Sequence, residues 1–323
     1  MAKSSVMIFF GLIIFLTGVS ANARGVPEVI RLGIVSTGWT SHLPVGVASK
    51  AGFFEEQGLE VLPINMIGDP LVMAGIFGGH VDMAISGASV VWGIAQGGAA
   101  KIVASLNPSL LYWLVGSKGL KDVRQLKGKI IGVTRAGALS EFVTERALRN
   151  LGLIRGQDYT ILAIGGANLR ALALEGGKIA AAPMTPPELV SLKEKGFPVL
   201  LDMGATIPNF PQTVISASNA LSRDPHAVAG FLKAMIKAMR LIKTDGKLVV
   251  KLASSNKHTP KSDPKKEEAA LFYYGDKFRD GNITERDIEV IIGAFVESGK
   301  MTRVKPAAVF DEQFLKKALQ GLP

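Results

Sequence analysis

The sequence predicts an α/β protein of two lobes, and three observations carry that prediction: the chain length, an alternation of strand and helix patterns, and an internal duplication. At 323 residues the chain can form two compact domains, each with its own core. Hydrophobic residues make up 48% and charged residues 20%, the balance of a globular protein. Glycine is plentiful at 36 residues and aromatics are few at 7%, which suits parallel strands joined to helices by tight turns.

The duplication runs at an offset of roughly a hundred residues, with its matches in the same order in both copies. Arg31 to Ser36 (RLGIVS) resembles Lys129 to Thr134 (KIIGVT), a short apolar strand ending in a hydroxyl residue. Gly52-Phe53 matches Gly152-Leu153 after the following helix, and Leu59 to Ile64 matches Tyr159 to Ile164 as the next strand. Ile76 to Val81 (IFGGHV) then matches Leu174 to Ile179 (LEGGKI), a helix end stopped by a glycine pair before a third strand. Each copy reads strand, helix, strand, helix, strand, the pattern of parallel βαβ units.

Helix punctuation follows the same plan. Asp69-Pro70 reads as an N-cap and N1 pair, Asn168 as the cap of the matching helix, and Gly78-Gly79 and Gly176-Gly177 as their ends. The helix from Leu139 to Leu151 carries Glu141 and Glu145 early and Arg146 and Arg149 late, complementing its dipole, with Gly152 just beyond it. Leu110 to Val115 (LLYWLV) is expected as a strand leading to the second lobe, and Thr213 to Ala217 (TVISA) as its counterpart on the return. Helices near His226 to Thr244, Glu267 to Phe278, Glu285 to Ser298 and Asp311 to Leu319 have no copy and are expected to pack on the first lobe. The expected organisation is 1–23 a leader, 24–115 the first part of lobe I, 116–210 lobe II, and 211–323 the return to lobe I. One lobe interrupted by the other, joined by two crossover strands, is a hinge architecture.

Lys3, the uncharged apolar run Val6 to Val19 and Ala21-Asn22-Ala23 have the layout of a secretory signal peptide, with Arg24 first in the mature chain. The run is too short to cross a bilayer. No cysteine is present, so neither disulfides nor a lipidated cysteine is expected, and the reading is a periplasmic, freely diffusing monomer. The formal charge of +10 can steer anionic solutes. Lys and Arg are scattered along the chain, with the densest group in Lys257 to Lys266 broken by Pro260 and Pro264, so nucleic-acid binding is not expected. His42, His80, His226 and His258 show no metal spacing, and no nucleophile-elbow or phosphate-loop pattern occurs. No cofactor and no metal are therefore expected.

Gly52 to Val61 (GFFEEQGLEV), Gly78 to Ala84 (GGHVDMA), Gly97 to Ala104 (GGAAKIVA) and Leu126 to Val133 (LKGKIIGV) resemble the periplasmic binding proteins of the nitrate/sulfonate/taurine importer group, which includes thiamine-precursor binders. The resemblance covers Val29 to Pro187 and, more loosely, the chain to Phe314. It implies a type II periplasmic-binding fold and delivery to an ABC permease in the inner membrane. The two-lobe architecture itself leads to hinge closure, and a basic chain without an obvious acidic cleft leans towards a small organic ligand, anionic or heterocyclic. The chain departs from that pattern at Ala180, where the counterpart of Asp82 is often Asp, so no contact through that carboxylate is carried over. An enzyme type that makes a thiamine precursor shares the fold, but its cysteine-rich signature cannot exist here. An exported enzyme and a sensor docking on a membrane receptor are the alternative functions.

Ligands of open α/β sheets lie beyond the carboxyl ends of strands, where helix N-termini converge. Four such ends supply the candidate ligand-binding residues: Thr37, Gly38, Trp39, Thr40 and Ser41; Ser86, Ala88 and Ser89; Thr134, Arg135, Ala138 and Ser140; Met184 and Thr185. Trp39 reads either as a stacking wall for a planar ligand or as a cap on the core. Arg135 reads either as partner of a ligand anion or of a surface carboxylate, and Tyr112-Trp113 as strand packing near the hinge.

Overall fold

The structure, a computed structural model, describes residues 27–35, 39–254, 268, 271 and 280–322, with the backbone alone at 39–42 and 253–254. The expected leader and most of the expected helix from Glu267 to Phe278 lie outside the described residues.

The first half builds strand β1 (Glu28–Ile34), helix α1 (Trp39–Lys50), β2 (Leu59–Asn65), α2 (Asp69–Phe77), β3 (Met83–Gly87), α3 (Val90–Ala95) and β4 (Ala100–Asn107). The plan then repeats: β5 (Trp113–Gly116), β6 (Lys129–Val133), α4 (Leu139–Asn150), β7 (Tyr159–Ala163), α5 (Ala167–Glu175), β8 (Ala181–Met184), α6 (Pro186–Glu194) and β9 (Val199–Asp202). The chain returns through a helical turn α7 (Met203–Thr206) to β10 (Thr213–Ser218), followed by α8 (Pro225–Thr244), α9 (Gly246–Ser254), α10 (Glu285–Glu297) and α11 (Gln313–Leu319).

Two five-stranded sheets result, in the orders β2-β1-β3-β10-β4 and β7-β6-β8-β5-β9. In each, three strands run parallel in the order expected of the repeat. The fourth strand of each is antiparallel to both neighbours and arrives from the other half of the chain: β5 follows β4, and β10 follows β9. The two crossovers are therefore reciprocal. The expected strand Leu110–Val115 starts only at Trp113, because residues 110–112 are used in crossing between the sheets.

The structure shifts the register of the duplication by one residue in the first strand. Asp82 donates its N–H to the Arg31 carbonyl, and Ala180 donates to that of Ile130, so Arg31 corresponds to Ile130 and Gly33 to Gly132. Packing explains the shift. A Cβ on Gly33 would stand 3.3 Å from Val81 and 3.5 Å from Met66, and one on Gly132 would stand 2.6 Å from Ile179 and 3.1 Å from Ile164. In both copies a glycine of this strand faces the residue two places before the third strand (Val81, Ile179) and the residue just after the second (Met66, Ile164).

The expected caps also change. Gly68 and Gly166 are the N-caps of α2 and α5, so Asp69 and Asn168 lie inside the first turn. The Asp69 side chain is thereby released from capping its own helix. Gly152 follows α4 with φ of 79°, as its place after the helix requires.

The core of the first lobe buries β1, β3, β4 and β10 against α1, α8 and α11, with Phe54 stacked on Phe231. A second core runs through both halves. There Phe142 of α4 stacks on Phe295 of α10, centroids 4.0 Å apart, and lies 6.0 Å from Phe210 beside the return crossover. Helix α10, expected to pack on the first lobe alone, thus touches both, and Arg146–Glu297 adds an ion pair at 2.8 Å. Among the described residues no helix is long and apolar enough to cross a membrane.

Candidate functional site

The carboxyl ends of β1 and β3 face those of β6 and β8 across a cavity of about 50 Å³ that draws its walls from both halves of the chain. Such a space holds a few waters or a small polar group. Its first wall is Val35, Gly68, Asp69 and Gly87, its second Thr134, Ala138, Leu139, Ser140, Ala167, Arg170 and Thr185, and Tyr112, Gln212 and Thr213 of the crossovers close the back.

Asp69 is the charged group of the first wall, and it is 1% exposed. Its carboxylate accepts hydrogen bonds from the Gly87 N–H at 2.7 Å and the Ser89 hydroxyl at 2.6 Å, both on its own side. It also accepts from the Leu139 N–H at 2.6 Å, which begins α4 on the opposite side. Burial pushes the Asp69 pKa up, and the Ser89, Leu139 and Gly87 donors oppose that shift.

Arg170, in α5, is the charged group of the second wall and is 2% exposed. Its Nε and Nη2 donate to the Pro183 carbonyl at 3.0 and 2.8 Å, and Nη1 donates to the Gly165 carbonyl and the Thr134 hydroxyl, both at 2.8 Å. All these acceptors are neutral oxygens, so no carboxylate hydrogen-bonds the guanidinium. Desolvation lowers its pKa, countered by Tyr112 and Glu188 nearby. Ser140 also donates to the Thr134 hydroxyl, at 2.9 Å, so the Thr134 oxygen accepts twice and its own proton remains to be given. Behind this wall Thr185 donates to Glu188 at 2.5 Å. Burial raises the Glu188 pKa and pushes the Tyr112 phenol up to about 12.

Outside the cavity lies a wider groove of about 530 Å³, formed by Ile67 and Pro70 on one side and by Arg135, Ala136, Ile164 and Leu169 on the other. The stem of Arg135 rests on Gly68, where a Cβ would come within 2.6 Å of its Cδ.

Of the expected site residues, the structure brings Thr134, Ala138, Ser140 and Thr185 to the cavity and Arg135 to the outer groove. Ser86, Ala88, Ser89 and Met184 are buried beside the site and do not line it. Ser86 and Met184 sit within β3 and β8, whose side chains alternate into the sheet faces. Ser89 reaches the site only through Asp69. Thr37 and Gly38 lie outside the described residues, as do the side chains of Trp39, Thr40 and Ser41 at the start of α1. Sequence reasoning missed Asp69, read as a cap, Arg170, which looks like an ordinary exposed helix cation, and Tyr112. The signal for Asp69 was its place at the start of α2, four residues after the end of β2, at the same carboxyl edge as the other loops. Among the described residues no cluster of side chains could hold a metal ion.

Two facing α/β halves with reciprocal crossovers and a cavity between strand ends define the periplasmic-binding-protein fold. Solved structures agree: the alkanesulfonate-binding protein SsuA of Xanthomonas axonopodis superposes with TM-score 0.73 at 18% identity over 88% of this chain and 99% of that one. The nitrate-binding protein NrtA of Synechocystis superposes with TM-score 0.76 at 15% identity, covering 92% of this chain and 89% of that one. The NMT1/THI5-like family model matches residues 39–245, and the chain belongs to that family. A Brucella abortus protein bearing a binding-protein name is 25% identical over 204 residues, 62% of each chain. A yeast protein named as a 4-amino-5-hydroxymethyl-2-methylpyrimidine phosphate synthase is 27% identical over 222 residues, 63% of this chain and 64% of its own. The chain thus spans less than two thirds of the length of these curated relatives.

Proposed function

We propose that the protein is an exported solute-binding component of an ABC importer, which closes its two halves on a small organic ligand and presents it to a membrane permease. One observation carries this reading: a polar cavity at the strand ends takes its walls from both halves of a duplicated fold. A ligand touching both walls binds the closed form better and so shifts the population towards it. The names of the sulfonate- and nitrate-binding neighbours, and of the Brucella relative, support the same role. Residues 1–23 would direct export, and the mature protein would work as a periplasmic monomer without a cofactor.

The yeast relative's name supports an enzyme as the second reading. The chain contains no cysteine, so thiol chemistry of its own is closed to it. A melting screen over small organic ions and heterocycles, followed by calorimetry, separates the two. A binding protein gains about 2.7 kcal/mol of stability at a hundredfold excess over Kd and returns its ligand unchanged. Recovery of a chemically altered ligand would establish the enzyme instead.

A further inference from the structure

The cavity has a charge pattern that the basic composition of the whole chain does not foretell. Asp69 stands at its first wall with both oxygens committed: Gly87 N–H on Oδ1, and Ser89 Oγ–H with Leu139 N–H on Oδ2. The Leu139 amide opens helix α4 of the other half, so this carboxylate occupies a helix N-terminus across the cleft from its own backbone. Donors converging at a helix start, together with the helix dipole, favour an anion. Here the protein supplies that anion itself.

The surroundings are built for it. Gly87 carries no Cβ; one placed there would stand 2.7 Å from the Leu139 Cβ and 2.9 Å from Asp69 Oδ2. The two halves therefore touch around the carboxylate, and the adjoining space is only about 50 Å³. The cation of the cavity, Arg170, is held by the Pro183 and Gly165 carbonyls and by Thr134. Glu188, bound to Thr185, lies behind the same wall. Asp69 lines the cavity itself, and Glu188 is the carboxylate that neighbours Arg170. An incoming anion buried beside the Asp69 carboxylate meets a like charge in a site with little solvent to screen it.

We infer that Asp69 is the specificity-determining residue of the cleft, an anion built in where an incoming anion would otherwise sit, so that the closed cleft takes a ligand whose buried group is neutral or cationic. This deepens the binding-protein reading and rests on it. The wider groove at the mouth, with Ile67, Pro70 and Leu169, then receives the less polar remainder of the molecule.

Removing the carboxylate leaves three donors around a hole of carboxylate size, and this supplies the test. Wild type, Asp69→Ala and the isosteric Asp69→Asn are melted in rising sodium formate and sodium nitrate, with ionic strength held constant by bulky gluconate. Asp69→Ala is expected to melt lower than wild type and to recover saturably with formate. Its apparent formate affinity should exceed that of wild type by at least about tenfold, because the buried like charge is gone. Asp69→Asn keeps the volume and an acceptor oxygen, and is expected to gain nitrate affinity over wild type; it carries the test if the alanine variant does not fold. Wild type that binds either anion as tightly as the variants do would overturn the inference, as would two variants that ignore both anions. The binding-protein reading is judged separately by ligand-dependent closure, so either can fail while the other stands.

Discussion

The two halves share a backbone plan and differ in where they place charge. At the first-strand position, lobe I has Arg31, whose backbone and guanidinium donate to Asp82 at 2.6–2.9 Å, whereas lobe II has Ile130 and Ala180 at the same places. Lobe II thus lacks both members of the pair, and Arg31–Asp82 ties the first strand to the start of the third, at the opposite end of the sheet from the cavity. In the second helix the asymmetry reverses direction. Asp69 and Val72 of α2 correspond to Ala167 and Arg170 of α5, so one half brings an anion to the cleft and the other a cation. Glycines and apolar residues that hold the repeat together are kept, and the charges that give the cleft its character are not.

That contrast can be broken from either side. Arg170→Val copies lobe I into lobe II and leaves the Pro183 and Gly165 carbonyls without their donor. With about 1–3 kcal/mol for each buried acceptor left unpaired, a loss near 3 kcal/mol or more is expected in denaturant unfolding. Gly132→Ala meets Ile179 at 2.6 Å and Gly33→Ala meets Val81 at 3.3 Å. The first is expected to cost about 1–3 kcal/mol, the range for overpacking, and the second less; equal costs would show that the two glycines are not equivalent in packing.

Asp82→Ala is expected to cost no more than about 1 kcal/mol, because Arg31 is 44% exposed and solvent screens the pair. Burial works to raise the Asp82 pKa, but the Arg31 hydrogen bonds and charge outweigh it and hold the carboxyl below its usual range. A lowered folded value means that the pair's contribution is present above the unfolded pKa and fades as pH falls through the folded one. Melting curves of wild type and Asp82→Ala should therefore differ at neutral pH and converge in acid. A constant gap would place the effect in packing.

Much of the fold was legible because repetition exposes it. Glycine pairs ending helices, apolar strands and hydroxyl residues after them recur in order, and each has a local cause. The one-residue shift in the first strand was not legible, since it depends on which side chain crosses Gly33 and Gly132. The reach of α10 onto Phe142 was hidden for a similar reason: an aromatic in an amphipathic helix says that a core exists, not which one. Within the site, loop hydroxyls at Thr134, Ser140 and Thr185 could be found from their place after strands. Asp69 could not, because Asp before Pro at a helix start reads as a cap, and only the structure shows Gly68 taking that role. Arg170 shared its sequence signature with many surface cations; its burial depends on the tertiary placement of the Pro183 and Gly165 carbonyls.

The account stands on closure of two halves around a ligand, and a chain without cysteine lets that motion be read directly. Cysteines introduced at the exposed positions Leu71 in α2 and Leu172 in α5 accept one spin label each, on opposite halves. The distance between them, measured with and without a ligand found by the melting screen, is expected to shift to a single narrow population when ligand saturates. A distribution unchanged at saturation, with binding confirmed in the same sample, would contradict the account.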